Sequence, residues 1–317
     1  MTMDRSLIEI SKSLLQSSLG VKPGELLVVV ADDYKKELAE HVHQAGLELG
    51  ADASLVVMKH REKSGEEPPA PVAAAMREAD VAICLTQHSL THTGARKAAA
   101  ASGTRVATMP TITEDMFREG AISADYAQVR ELTERVTARL TAGSRVKIEK
   151  EHTALTFSIA GRAGVPSTGV YLNPGESGNL PSGEGYIAPV EGSASGTLLV
   201  DGSIAGLGKV TSPLTLTVEN GRLVGADGEQ GEALLAVLGD GDGRLLGEFG
   251  IGTNDKARIT GVVLEDEKVY GTIHVAFGSN NTFGGTVAAG VHIDLMVLSP
   301  RVYIDDELIL ENGRLLV

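Results

Sequence analysis

Leu26-Leu-Val-Val-Val-Ala-Asp-Asp-Tyr-Lys-Lys-Glu-Leu-Ala-Glu-His-Val-His-Gln-Ala-Gly-Leu-Glu-Leu-Gly50 changes period halfway along its length. Leu26–Ala31 is an unbroken apolar run rich in β-branched residues, as expected of a strand covered on both faces. Beyond Asp32-Asp33 the apolar residues Leu38, Val42, Ala45 and Leu49 recur at helical spacing. The alternation continues downstream. Ala53–Met58, Ala79–Leu85 and Thr104–Met109 read as strands, and Thr93–Ala101 as a helix. Strands alternating with helices imply parallel β-α-β units, so residues 1–145 are expected to form an open, mainly parallel α/β domain of doubly wound style.

The turn after the first strand, Ala31-Asp-Asp-Tyr-Lys-Lys36, has no glycines with which to approach a pyrophosphate. A dinucleotide site is therefore disfavoured, and Asp32 or Asp33 is read as a helix N-cap. His88 and His92 fall in a Ser/Thr-rich turn and read as loop residues. Substrate contact is the alternative, because the loop leaves the carboxyl end of a parallel strand. His41 and His43 face different ways from one helix and are expected at the surface. Cys84 lies within an apolar strand, where a free cysteine is an inert small hydrophobe.

Beyond residue 145 the texture changes. Of the 38 glycines in 317 residues, 9 lie in 1–150 and 29 in 151–317. Helical periodicity survives only at Glu232–Leu238. Asn220-Gly221 and Asn312-Gly313 sit in two copies of Glu-Asn-Gly-Arg-Leu and mark tight hairpins, with Asp201-Gly202 as a further candidate. Residues 146–317 are expected to form a mainly antiparallel β domain. The 42 carboxylates against 28 Lys plus Arg, a net charge of −14, exclude a nucleic-acid partner. No apolar run approaches the roughly 20 residues that span a bilayer, and Met1–Ser6 lacks a signal-peptide layout. With the lone cysteine, these features point to a cytoplasmic protein.

The β half carries the chemistry. In Val291-His-Ile-Asp-Leu-Met-Val297, alternation puts His292 and Asp294 together on the face opposite Val291, Ile293, Leu295 and Val297. In Tyr270–Phe277, His274 lies opposite Ile273, Val275 and Phe277. Glu184 is flanked by glycines in 179–189, and Glu248 follows Gly247 in a glycine-rich run through Asn254; such glycines suggest close approach by something else. Two imidazoles and three carboxylates make an N/O donor set suited to Zn²⁺, Co²⁺, Mn²⁺ or Fe²⁺. Each motif alone has a plainer reading, a hydrogen-bonded His-x-Asp pair or a Gly-Glu-Gly turn. The spacings of 64, 26, 18 and 2 residues match no compact ligand motif.

As an ordered set, Asn-Leu-Pro-x-Gly-Glu-x-Tyr-x-Ala-Pro at 179–189, Gly-Glu-x-Gly-Ile-Gly-Thr-Asn at 247–254, Gly-Thr-Ile-His-x-Ala-x-Gly at 271–278 and His-x-Asp at 292–294 resemble the M29 metallo-aminopeptidases, the aminopeptidase T group. That superfamily also contains 2,5-dihydroxypyridine 5,6-dioxygenases, which are mononuclear Fe(II) enzymes. The resemblance covers most of the chain, including Thr91-His-Thr-x-Ala-Arg96. It implies Glu184, Glu248, His274, His292 and Asp294 as ligands of one or two divalent ions, Zn²⁺, Co²⁺ or Mn²⁺ in a peptidase. It also implies a small peptide or small-molecule substrate and a homodimer.

In the peptidase reading the ions polarise the scissile carbonyl and activate water, and a glutamate such as Glu184 relays the proton to the leaving amine. One departure stands out. The peptidases carry a catalytic tyrosine seven residues after the first metal histidine, where this chain has Asn281. An amide can donate a hydrogen bond to an oxyanion but cannot act as a phenolic acid, which leaves Tyr186 or Tyr270 as spatial substitutes. A metal-dependent aminopeptidase is the first expectation. The alternative is an Fe²⁺ ring-cleaving dioxygenase, with His274, His292 and Asp294 as a two-histidine, one-carboxylate triad. A third reading, a non-enzymatic binding protein on a decayed site, would show a lost ligand, and none is lost.

Overall fold

The computed structural model describes residues 3–317, and the chain divides into two compact units, each built on its own sheets. The first comprises the chain up to Gln128 together with Gly169–Ser182. Its strands β1 (Leu26–Asp32), β2 (Asp52–Met58), β3 (Val81–Thr86) and β4 (Arg105–Pro110) pair in parallel in the order β2-β1-β3-β4. A short fifth strand, Ser177–Asn179, joins parallel to β4. Helices α1 (Arg5–Leu19), α2 (Lys36–Glu48), α3 (Ala70–Glu78) and α4 (Gly94–Ala101) accompany the sheet. Val28, Val30, Cys84 and Val106 are buried with Met76 and Ala99 in one apolar cluster. The open parallel α/β architecture is thus as the period switch at Leu26–Gly50 indicates.

The expected helix cap is a correction. Residue Lys35, not Asp32 or Asp33, sits at the start of α2, with no side-chain cap. Asp32 instead closes the turn ahead of the helix. Its Oδ1 accepts from the Tyr34 and Lys35 amides at 3.1 Å each, and its Oδ2 accepts from the Gln87 amide. Asp33 accepts from the His60 amide at 2.8 Å. Asp side chains favour such local backbone bonds in turns as readily as at caps, and the sequence alone does not separate the two.

The second unit comprises Val129–Thr168 and Gly183–Val317. The expected boundary at 145 follows the change of sequence texture, whereas the compact unit takes in most of the helix Tyr126–Ala142 and cedes Gly169–Ser182 to the first unit. Two antiparallel sheets, of eight and seven strands, share one apolar core. The Phe157 and Phe249 rings meet there edge to face, with centroids 5.4 Å apart. Asn220-Gly221 and Asn312-Gly313 both form tight hairpins, with φ of 49° and 78° in the first and 51° and 73° in the second. Asp201-Gly202 does not: Ser195–Val200 and Ser203–Ile204 on either side of it belong to different sheets, so the chain crosses between layers there.

Candidate metal centre

The seven-stranded sheet places, in spatial order, the strands His292–Leu298, Thr272–Gly278, Leu246–Gly252 and Glu184–Ile187 side by side. One face of each supplies the shared core: Ile293, Leu295 and Val297; Ile273, Val275 and Phe277; Phe249 and Ile251; Ile187. Period-two alternation therefore sends His292 and Asp294, His274, Glu248, and Glu184 with Tyr186 to the other face. Glu248 reaches the right parity through a bulge between Leu246 and Glu248, which absorbs Gly247.

Register then makes room for these side chains. Glu184 pairs with Gly252, Tyr186 and His274 both pair with Gly250, Glu248 and Asp294 both pair with Ala276, and His292 pairs with Gly278. Each bulky polar group thus has a glycine or alanine opposite it on at least one neighbouring strand. At Gly250 the requirement is steric, since an added Cβ would lie 2.1 Å from His274 Nε2. The glycines flanking Glu184 have a different task. A Cβ at Gly185 would meet Val136 and Thr137 of the neighbouring helix at 2.9 and 2.8 Å, so these glycines admit packing elements rather than a ligand.

All five metal-ligand candidates converge. His274 Nε2 lies 3.2 Å from Glu248 Oε1 and 3.4 Å from Glu184 Oε2; His292 Nε2 lies 3.4 Å from both Glu248 Oε2 and Asp294 Oδ1. Glu248 therefore bridges the two imidazoles. His292 Nδ1 donates to the Ser279 carbonyl at 2.8 Å, which fixes that proton and turns Nε2 toward the carboxylates. Three overlapping groups can each hold an ion: Glu184, Glu248 and His274; Glu248, His292 and Asp294; Glu267, His274 and Asp294.

Among the described residues, no hydrogen bond or ion pair joins Asn281 to the cluster. It is exposed in the loop after His274, with its amide bonded to the Val287 carbonyl. Of the two tyrosines, Tyr186 shares the face of the cluster, while the Tyr270 hydroxyl accepts from the Leu315 amide at 3.3 Å. Tyr186 meets Phe283 edge to face at 5.4 Å, and Phe283 meets His292 at 6.1 Å, forming an aromatic row beside the imidazoles.

Two members of the centre have no counterpart in the sequence reading. Lys268 is 1% exposed, and its Nζ donates to Glu184 Oε1 at 2.5 Å and to Glu267 Oε1. The run Glu265-Asp-Glu-Lys268 reads as a solvated turn, and nothing in its pattern signals burial. The available hint is position, since this charge run immediately precedes the strand that carries His274.

Burial and mutual charge reshape the titrations. Burial raises the Glu248 carboxyl, but the flanking His274 and His292 outweigh it and hold the group at about 2. Burial alone lowers His274, yet Glu248, Glu184 and Asp294 raise it to about 9. His292 is likewise raised well above 6.5, burial being outweighed by Asp294 and Glu248. Burial, joined by the charges of Glu184 and Asp294, pushes Glu267 up to about 8 against the pull of Lys268.

The donor set fits a divalent ion. Glu184 Oε2 and Asp294 Oδ1 are buried without a hydrogen-bond partner among the described residues, although each lies 3.4 Å from an imidazole nitrogen. Buried carboxylate oxygens left in that condition are costly unless a cation coordinates them. Imidazole nitrogen and carboxylate oxygen are the donors that Zn²⁺, Mn²⁺ and Fe²⁺ accept.

Comparisons with known proteins bear on the family and the fold. The family model described as NicX, 2,5-dihydroxypyridine 5,6-dioxygenase, matches residues 6–317. No curated protein matches the chain in sequence. Among solved structures, the 2,5-dihydroxypyridine dioxygenase from Pseudomonas putida KT2440 superposes with a TM-score of 0.83 at 19% identity, over 98% of this chain and 97% of that one. Wild-type AmpT from Thermus thermophilus superposes with a TM-score of 0.73 at 19% identity, over 100% of both chains. At those identities the two structures speak to the fold.

Proposed function

The chain belongs to the 2,5-dihydroxypyridine 5,6-dioxygenase family, and on that premise we propose that it is a mononuclear iron(II) dioxygenase that opens a hydroxylated aromatic or heteroaromatic ring. The observation that carries this reading is the placement of His274, His292 and Asp294 on one sheet face, beside the aromatic row of Tyr186 and Phe283. Two imidazoles and one carboxylate would hold the iron and leave positions open; bound there, iron supplies a place for oxygen and substrate to meet.

The remaining roles belong to the chain. Phe283 and Tyr186 offer ring edges to a flat substrate and keep water from the reacting side. The Ser279 carbonyl fixes the His292 tautomer, so that Nε2 keeps its lone pair for the ion. Glu184 Oε2, buried and without a hydrogen-bond partner, is the acceptor placed to take a proton from a ring hydroxyl. Glu248, bridging both imidazoles, fixes their spacing.

This reverses the preference for a peptidase drawn from the motifs alone. Asn281 gives no phenolic acid and is exposed in the loop after His274, and the family match favours oxygen chemistry. The peptidase reading keeps one specific support: Glu184 and Glu248 complete a five-ligand set with the triad. One assay separates the two. Iron-loaded protein is expected to consume oxygen with dihydroxypyridines and to leave N-terminal leucine amides intact. Leucine release by Zn²⁺- or Co²⁺-loaded protein, with no oxygen uptake in the iron form, would restore the peptidase.

A further inference from the structure

Lys268 is buried inside a cluster that otherwise gathers carboxylates and imidazoles. Its ammonium engages one oxygen of Glu184 and one of Glu267, and these two acids belong to different candidate ion groups. The donors it leaves unengaged are Glu184 Oε2, Glu248, His274, His292 and Asp294. A divalent ion on the Glu184–Glu267 side would lie against a fixed positive charge in a desolvated setting, where like charges repel strongly. Without that ammonium, four carboxylates and two imidazoles would match the charge and donor needs of an ion pair that shares carboxylates.

We propose that Lys268 is an internal cation standing in place of a second divalent ion, and that it holds this centre to a single ion. The inference rests on the one-iron reading above and deepens it, by naming the residue that separates one-ion oxygen chemistry from two-ion hydrolysis on this donor set. Lys268 is a positioning residue. It acts through Glu184 and Glu267, the two side chains its ammonium engages.

The test counts ions rather than turnover. Metal-stripped wild type, Lys268→Gln, Lys268→Met and Lys268→Arg are titrated with Mn²⁺ alone, then desalted and analysed for manganese, with electron paramagnetic resonance to detect a coupled pair. Wild type and Lys268→Arg are expected to hold about one ion per chain. Lys268→Gln and Lys268→Met are expected to hold about two, with a coupled-pair signal. A merely structural lysine would not change the count. Two ions in wild type, or one ion in both folded neutral variants, overturns the proposal.

Stripping is expected to destabilise the neutral variants, because it leaves buried carboxylates uncompensated. Recovery of circular dichroism at two equivalents of Mn²⁺ then supports the proposal, and failure to fold at any Mn²⁺ concentration contradicts it. Absence of oxygen uptake by a one-ion wild type would remove the dioxygenase reading and leave the ion count standing.

Discussion

Gly250 shows how the centre depends on a side chain that is missing. Its position between Tyr186 and His274 is required because a methyl group there would lie 2.1 Å from the His274 Nε2 that faces Glu184 and Glu248. Gly250→Ala is expected to keep the fold and lose metal affinity by roughly 10–100-fold, the cost of disturbing a ligand's support; isothermal titration with Mn²⁺ measures it, and unchanged affinity would contradict the placement of His274. His292→Ala is expected to lose most of the bound metal, read by elemental analysis. The pH dependence follows from the same residues. In metal-stripped protein the folded-state pKa of His274 is raised from 6.5 to about 9, so its contribution to stability is full below 6.5 and is lost as pH rises through about 9. Glu248 is depressed from 4.5 to about 2, so its contribution is full above 4.5 and lost as pH falls toward 2. Metal needs the imidazoles neutral and must displace those protons. The rise in melting temperature on adding Mn²⁺ is therefore expected to be small near pH 6 and larger near pH 9, with proton release; the opposite trend would contradict the assignment. At this scale the sequence was informative, since alternation put His292 and Asp294 together and His274 opposite the apolar face of its own strand, while the pairing of the two strands joins them. Lys268 and Glu267 were illegible because burial of a charge run has no periodic signature.

Among the elements, the segment from Ser279 to Gly290 carries Phe283 to the imidazoles, and it is tied down from outside the strands. Asn280 is fully buried, and its side chain accepts from the Val287 amide at 2.8 Å. Glu191 accepts from the Thr286 amide at 2.7 Å, while Arg162 donates to both Glu191 and the Gly284 carbonyl. Glu191→Ala is expected to free this loop. Hydrogen exchange across 280–290 should rise and the KM for the ring substrate should increase more than kcat falls, since the strand-borne donors stay in place; unchanged exchange would contradict the tie. The strands themselves were legible from apolar alternation, and the Asn-Gly hairpins from residues that tolerate positive φ. Asp201-Gly202 misled because the same turn chemistry serves a chain that changes sheet. Ser177-Gly-Asn179 has no legible period, and only its place beside β4 makes it a strand.

Across the whole molecule, the second unit anchors its donor-bearing face through the opposite, apolar face of the same strands. Phe249 is fully buried against Phe157 in that core and is the immediate neighbour of Glu248. Phe249→Ala is expected to cost about 3–5 kcal/mol of stability, measured by denaturant unfolding, with weakened metal retention as a consequence. Overall architecture was readable because the period shifts from mixed strand and helix to short strands and tight turns. The course of the compact units was not, because contacts between segments distant in sequence decide it. The chemistry was narrowed to two reactions by the motifs, and the family match favours one of them. The most direct measurement is turnover of a dihydroxypyridine by the iron-loaded protein under ¹⁸O₂, followed by mass spectrometry of the ring-opened product. Both oxygen atoms of one O₂ are expected in the product; an unlabelled product, or no oxygen consumption alongside peptide hydrolysis, would contradict the dioxygenase.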